Sequence, residues 1–214
     1  MRPIWTILLL FWVLSATAQK ALTFKEVLKT AKEISITDSL LIHYYSGDRI
    51  PLDHSTGESF LKTISPNEAQ SFQNAVFFVA GKITSHKDFD ILLFCAEKSI
   101  TTTYLESYDP NPLGGNQIKD LFFVLLDKEG NYKNNFLAAR EYRIKDFDKN
   151  ITRKIRSRVY SYLRIVQYTV TDHWPSYLIY LPFTKNSTKE YSTSMEYRIN
   201  EYGVFVAYPK YKSN

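Results

Sequence analysis

The stretch that decides the fold is VFFVAGKITSHKDFDILLFCA, residues 76–96. It contains two runs rich in Val, Ile, Leu and Phe, Val76–Ile83 and Phe89–Ala96, which are separated by polar residues. Short runs of β-branched and aromatic residues between turn-forming residues are typical of strands. The stretch therefore predicts two strands of an antiparallel sheet.

The same texture continues towards the C-terminus. Asp127–Asn131 and Asn200–Gly203 each suit a type I turn followed by Gly in the left-handed conformation, which is a common hairpin connection. No helix-length amphipathic pattern falls between the runs, so a parallel sheet is not favoured. The further predicted strands are Thr101–Tyr108, Gln117–Leu126, Phe136–Ile144, Thr152–Val170, Tyr177–Leu181, Ser194–Ile199 and Val204–Tyr208.

Helices are predicted only before residue 76. Thr23 and Glu26 have the spacing of a capping box, which predicts a helix over residues 22–34. Ser65 and Pro66 suit the first positions of a second, short helix that ends near Asn74. Between these helices, Leu40–Tyr45 is predicted to form a strand and Gly47–Gly57 a loop.

These patterns predict an α+β fold that is mainly β. A short N-terminal helical segment, residues 19–75, is expected to pack on an antiparallel sheet formed by residues 76–214, within one domain. The pattern leaves three sheet architectures open: a sandwich, a barrel or a propeller-like meander. EYRI occurs at 141–144 and 196–199, and KDFD at 87–90 and 145–148, so an internal repeat and independent hairpins of similar sequence are both open.

The first 18 residues have the features of a secretory signal peptide. Arg2 precedes an apolar run over residues 4–14, and Ser15-Ala16-Thr17-Ala18 supplies small residues where a signal peptidase cleaves. The run is shorter than the roughly 20 residues that a membrane-spanning helix needs. We therefore expect cleavage after Ala18, export to the periplasm or the cell exterior, and no transmembrane segment in the mature chain.

Charge and cysteine content narrow the classes of partner. The chain has 27 basic and 22 acidic side chains and a net charge of +5, whereas nucleic-acid binders usually concentrate a larger excess. We therefore expect no nucleic-acid partner. The single cysteine, Cys95, lies in an apolar run, which favours a buried structural thiol over a nucleophile.

Residues 153–164 carry the most unusual local pattern. In a strand, alternate side chains lie on opposite faces, so cations and tyrosines would share one face and apolar or small residues the other. Cations beside aromatic rings can bind acidic sugars or an acidic protein surface, although such residues also simply solvate the outside of a sheet. We expect a non-enzymatic binding module for an acidic glycan or acidic protein surface. Its candidate ligand-binding residues are Lys154, Arg156, Arg158, Tyr160, Tyr162 and Arg164.

The alternative hypothesis is a secreted hydrolase with a site built from loops near His173 or His54. Asp172 and Trp174 flank His173, and His54 lies in the sequence DHSTG. The G-x-S-x-G pattern of a nucleophile elbow is absent, so we assign no catalytic residue and leave enzymatic activity uncertain.

Metal ligands and cofactors are not indicated. Asp88 and Asp90, like Asp146 and Asp148, are paired carboxylates, but they lack the rest of a calcium-binding loop. The histidines do not have the spacing of zinc ligands. We therefore expect no metal and no other cofactor.

Overall fold

The computed structural model describes residues 21–42, 44, 48–69, 72, 75–84, 86–100, 116–145, 149–161, 163–175, 188–191 and 195–208. The expected signal peptide, the strands expected at Thr101–Tyr108 and Tyr177–Leu181, and Tyr162 lie outside these residues.

Three helices and eleven strands make up this part of the chain. The helices are α1 (Phe24–Thr30), α2 (His54–Ile64) and α3 (Pro66–Ala69). None of them is long and apolar enough to cross a membrane. The strands are β1 (Ser39–Ile42), β2 (Ile50–Leu52), β3 (Val76–Ile83), β4 (Phe89–Ile100), β5 (Asn116–Asp127), β6 (Tyr132–Lys145), β7 (Lys149–Tyr160), β8 (Ile165–Pro175), β9 (Thr188–Tyr191), β10 (Met195–Ile199) and β11 (Phe205–Tyr208).

The strands form one antiparallel sheet in the order β11-β10-β8-β7-β6-β5-β4-β3-β2. β1 pairs with β7, and β9 pairs with β8. β2 and β11 are the two ends of this path and do not pair with each other where the chain is described, so the sheet is open. The prediction of an α+β, mainly β fold with an antiparallel sheet is confirmed.

Strands β3, β4 and β5 are buried on both faces. In β4, Leu92 and Phe94 pack with α1 and α2, and Ile91 and Leu93 pack into a second core on the other side of the sheet. All four side chains are at most 2% exposed. This double burial explains why the run at residues 91–96 is continuously apolar instead of alternating.

The second core forms because the sheet curls. The ring of Phe136 on β6 lies 4.5 Å from that of Tyr197 on β10 and 5.3 Å from that of Phe205 on β11. These strands are separated along the sheet by β7 and β8. The β10–β11 end of the sheet therefore faces its central strands across an apolar interior.

The N-terminal segment was predicted in part. The capping box of α1 is present, with Thr23 and Glu26 hydrogen-bonded to each other's backbone N–H. α1 ends at Thr30 instead of residue 34, because Lys32 and Ile34 form backbone hydrogen bonds with Lys82 on β3. α3 begins at Pro66 as predicted and ends at Ala69, while residues 70, 71, 73 and 74 lie outside the described chain.

The prediction of a loop over Gly47–Gly57 is wrong. This segment contains β2 and the start of α2. Asp53 is the N-cap of α2, and its carboxylate accepts hydrogen bonds from the backbone N–H of Thr56 at 2.9 Å and from its hydroxyl at 2.6 Å. Asp is among the best N-cap residues, so DHSTG is a helix start.

The prediction of a single strand over Thr152–Val170 is also wrong. β7 and β8 form a hairpin whose turn has hydrogen bonds from Tyr160 N to Arg164 O and from Leu163 N to Tyr160 O. The same pair of bonds closes the two turns predicted from their glycines, where Gly130 and Gly203 have φ of 86° and 73°. Leu163 occupies the equivalent position at φ 55°, so this turn lacks the glycine that would reveal it in the sequence.

Candidate functional site: a basic-aromatic face around β7

The alternation predicted for residues 153–164 is present in β7. Ser157 and Val159 are fully buried, and the Ser157 hydroxyl donates a hydrogen bond to the Ala138 carbonyl at 2.6 Å. The candidate residues Lys154, Arg156, Arg158 and Tyr160 lie on the opposite face of the strand. Arg164, by contrast, lies in the turn after β7.

Neighbouring strands extend this surface. Side chains directly opposite each other in adjacent strands share a face of the sheet. The register places Tyr168 of β8 opposite Arg156, and Val166 of β8 and Leu41 of β1 opposite Arg158. It continues from Val166 to Glu196 of β10 and from there to Tyr208 of β11. We call the surface formed by these residues, Lys154, Tyr160, Arg164 and Arg198 the basic-aromatic face.

One carboxylate at this face is surrounded by two arginines. Arg164 donates to one oxygen of Glu196 at 2.9 Å, and Arg198 donates to the other oxygen from Nε and Nη2 at 3.0 and 2.9 Å. These hydrogen bonds lower the pKa of Glu196. The guanidinium carbon of Arg164 lies 5.2 Å from the ring centroid of Tyr160, and that of Arg198 lies 5.5 Å from the ring centroid of Tyr208.

Two other arginines have no such partner. Within the described chain, neither Arg156 nor Arg158 forms a hydrogen bond or ion pair, although Arg156 is half-buried. Among the described residues, Lys154 forms an ion pair with Glu141 alone, at 4.0 Å. Among the described residues of this neighbourhood, five cations lie near two carboxylates, which gives a net charge of +3. Arg156 and Arg158 contribute +2 of it.

Sequence reasoning missed a polar cluster at the end of β4. Tyr44 and Arg49 both donate hydrogen bonds to Glu97, and the Arg49 guanidinium lies 4.1 Å from the ring centroid of Phe78. Lys119, opposite Glu97 in β5, lies 5.5 Å from the Tyr44 ring. Burial and the hydrogen bond to Glu97 raise the pKa of Tyr44. The groups satisfy one another, so this cluster fastens the segment after β1 to the sheet.

The residues near His54 have structural roles. The carboxylate of Asp53 accepts a hydrogen bond from the Ser55 hydroxyl at 2.6 Å as well as those from Thr56, and these bonds lower its pKa to about 2. Ser55 therefore donates to a helix cap, and the His54 ring packs 5.7 Å from that of Phe77. The side chain of His173 lies outside the described atoms, and the hydrolase hypothesis, near His173 or His54, stays a prediction.

The remaining candidates from the sequence are a cysteine nucleophile and aspartate metal ligands. Cys95 is fully buried, and burial raises the pKa of its thiol to about 12. Asp90 is paired with Lys128 at 2.7 Å, and Asp146 and Asp148 lie outside the described residues. The described side chains contain no group of three or more His, Cys, Asp or Glu residues that could hold a metal ion.

Comparison with known proteins gives no relative. No protein-family model matches the chain, no curated protein matches its sequence, and no solved structure matches its fold.

Proposed function

We propose that this protein is an exported, non-enzymatic binding module whose basic-aromatic face binds an acidic glycan. The single observation that carries the proposal is the pair Arg156 and Arg158, two guanidinium groups on one strand face without an acidic partner in the described chain. A guanidinium presents a fork of donors that matches the two oxygens of an acidic group.

The arrangement of the cations favours a linear polyanion. Lys154, Arg156 and Arg158 are spaced two residues apart, which corresponds to about 7 Å between neighbours along a strand. A chain of acidic sugars presents repeated negative charges along a line, and it can lie on the sheet across this row. An acidic protein surface is the other class of ligand with complementary charge, and the experiment below distinguishes the two.

The tyrosines support a sugar ligand. Tyr168 lies opposite Arg156, and Tyr160 lies two residues beyond Arg158 on the same face. A tyrosine ring offers an apolar surface together with a polar hydroxyl, which suits ligands that have both kinds of surface. Both side chains are half-buried, so part of each is exposed to solvent.

The test is binding of the purified chain from residue 19 onwards to immobilised acidic and neutral glycans at low and high salt. We expect binding to acidic glycans only, weakening steeply as salt rises, because solvent-exposed charge interactions are screened. The variant R156E/R158E should lose binding. Its matched control is K32E/K87E, which makes the same change in net charge at two exposed lysines outside this face.

Three outcomes contradict the proposal. They are equal binding to neutral glycans, equal loss of binding in both charge-reversal variants, and retention only of acidic proteins from an extract while every glycan fails to bind. The last of these would identify an acidic protein as the partner.

Export is part of the same proposal and has its own test. The signal-peptide pattern of residues 1–18 supports it. Mass spectrometry of the protein recovered from a periplasmic or culture-fluid fraction should give a chain that starts at Gln19. Recovery of a chain that keeps Met1 would contradict it.

A further inference from the structure

Three arginine–tyrosine neighbours occur on the basic-aromatic face. Arg164 lies over Tyr160 and Arg198 over Tyr208. The third neighbour pair is Arg156 and Tyr168, which are directly opposite each other in the β7–β8 register. The first two pairs share the carboxylate of Glu196, whereas Arg156 forms no ion pair within the described chain.

We propose that the ligand places a carboxylate at Arg156 and Arg158, in the same way as the carboxylate of Glu196 lies between Arg164 and Arg198. The ligand class is then a polymer of uronic acids, whose acidic groups are carboxylates, and not a sulfated glycan. This inference rests on the proposed function and names the ligand class of that same face.

The geometry around Glu196 shows how the face holds a carboxylate. Each oxygen of Glu196 has its own guanidinium, at 2.9 Å from Arg164 and at 2.9 and 3.0 Å from Arg198. A planar carboxylate with two oxygens fits between two forks in this way. Glu196 lies opposite Val166, and Val166 lies opposite Arg158. The carboxylate of Glu196 and the proposed ligand site at Arg158 are therefore separated by one strand, β8.

Glu196 also limits what the face can bind. Its oxygens accept from both Arg164 and Arg198 and its charge balances one of the two, so Arg156 and Arg158 are the arginines of this face that form no ion pair within the described chain. The variant E196Q removes that negative charge while it keeps a side chain of the same size, so the face becomes more positive by one unit. A polyuronate should therefore bind more tightly to E196Q than to the unchanged protein, whereas a substitution that only perturbs the fold would weaken binding.

The test measures the affinities of polygalacturonate and dextran sulfate by calorimetry, with thermal unfolding followed in parallel. For the unchanged protein we expect polygalacturonate to bind at least 10-fold more tightly per charged group than dextran sulfate. R156Q/R158Q should lose at least 10-fold in affinity for polygalacturonate, and E196Q should gain 3-fold or more.

A matched pair of tyrosine variants serves if E196Q does not fold. Tyr168→Ala removes the ring beside Arg156, which forms no ion pair within the described chain. Tyr208→Ala removes the ring beside Arg198, which is paired with Glu196. We expect Tyr168→Ala to weaken polygalacturonate binding at least 5-fold and Tyr208→Ala to change it less than 2-fold.

The outcomes separate the two proposals. Tighter binding of dextran sulfate, an unchanged affinity in a folded E196Q, or equal effects of the two tyrosine substitutions would overturn the carboxylate assignment and leave glycan binding standing. Failure of the unchanged protein to bind either polymer would overturn both proposals.

Discussion

Arg140 and Asp120 form a two-bond ion pair between β6 and β5, where they are directly opposite each other in the register. Arg140 donates from Nε to one carboxylate oxygen at 2.7 Å and from Nη2 to the other at 2.6 Å. The Asp120 side chain is fully buried, whereas that of Arg140 is 26% exposed. Arg140 therefore supplies hydrogen bonds and a positive charge to a carboxylate that has no contact with water.

This asymmetry predicts unequal effects of removing the two partners. Arg140→Ala should lower the free energy of unfolding by about 3 kcal/mol, because it removes a cation that is paired with a buried carboxylate. Asp120→Ala should cost less, since the arginine can still reach water. Urea denaturation of both variants and of the double variant checks this. Equal losses in the two single variants would contradict this prediction. So would a loss in the double variant that exceeds the sum of the two single losses.

The β7–β8 turn predicts opposing contributions at Leu163. Leu163→Gly relieves a left-handed backbone, which costs a non-glycine residue roughly 1–2 kcal/mol, but it deletes a side chain only 4% exposed, and losses of about 2–5 kcal/mol follow such deletions. The difference between the two ranges is centred on a destabilisation of about 2 kcal/mol, measured by chemical denaturation. A more stable variant would show that the backbone strain at Leu163 outweighs the packing of its side chain.

Gly203→Ala tests the equivalent position in the β10–β11 turn. An added Cβ would lie 2.8 Å from Cε1 of Phe89, and φ is 73°. Strain and crowding then act together, so we expect a loss of about 2 kcal/mol in the same denaturation experiment. A neutral result would mean that the end of the curled sheet can shift away from β4.

Two aspartates predict a loss of stability in acid. Hydrogen bonds from Ser55 and Thr56 lower the pKa of Asp53 to about 2. Burial alone would raise the pKa of Asp127, but hydrogen bonds from Asn131 and Lys133 outweigh it and lower that pKa to about 2 as well. Both pKa values lie below the value of 3.8 for the unfolded chain. Between about pH 2 and pH 4 the unfolded chain therefore binds more protons than the folded chain does.

Stability contributed by these groups is present above about pH 4 and is lost as the pH falls towards 2. Urea unfolding between about pH 5 and pH 2 should show this fall, and D53N/D127N should reduce its slope. Asn is also a good N-cap, so the α2 cap should survive at neutral pH. An unchanged slope in the double variant would assign the acid sensitivity to other carboxyl groups.

Cys95 should be unreactive in the folded protein. Its thiol is fully buried and its pKa is raised to about 12 by burial, so the thiolate is scarce at neutral pH. A thiol reagent should label it only after denaturation, with one equivalent incorporated. Rapid labelling of the native protein would show that the sheet opens locally around β4.

The sequence predicted those elements whose signals are local. The glycines at 130 and 203 marked their turns correctly, and the period of two in residues 154–160 correctly separated the faces of β7. The turn at Leu163 was missed because long-range packing, instead of a glycine, stabilises its left-handed residue. α2 was missed because Gly57 reads as a loop residue, although an added Cβ there would lie 2.1 Å from Phe77.

For the candidate face, the sequence showed which side chains belong together but not which of them are neutralised. The partner of Arg164 is Glu196, which lies on another strand and far along the chain. Arg156 and Arg158 carry the same local pattern as Arg164 yet form no ion pair in the described chain. Only the strand register distinguishes the three arginines, because β10 approaches β8 at Val166 and brings Glu196 with it.

The pairing of β1 with β7 also constrains the order of assembly. Ser39–Ile42 pairs with residues 157–160, so a strand from the beginning of the chain must wait for one made much later. Contacts between such distant segments slow folding, because a long loop must close before any of them forms. The β1–β7 pairing therefore cannot form until the chain as far as Tyr160 is available, wherever the protein folds, and β1 joins the sheet late.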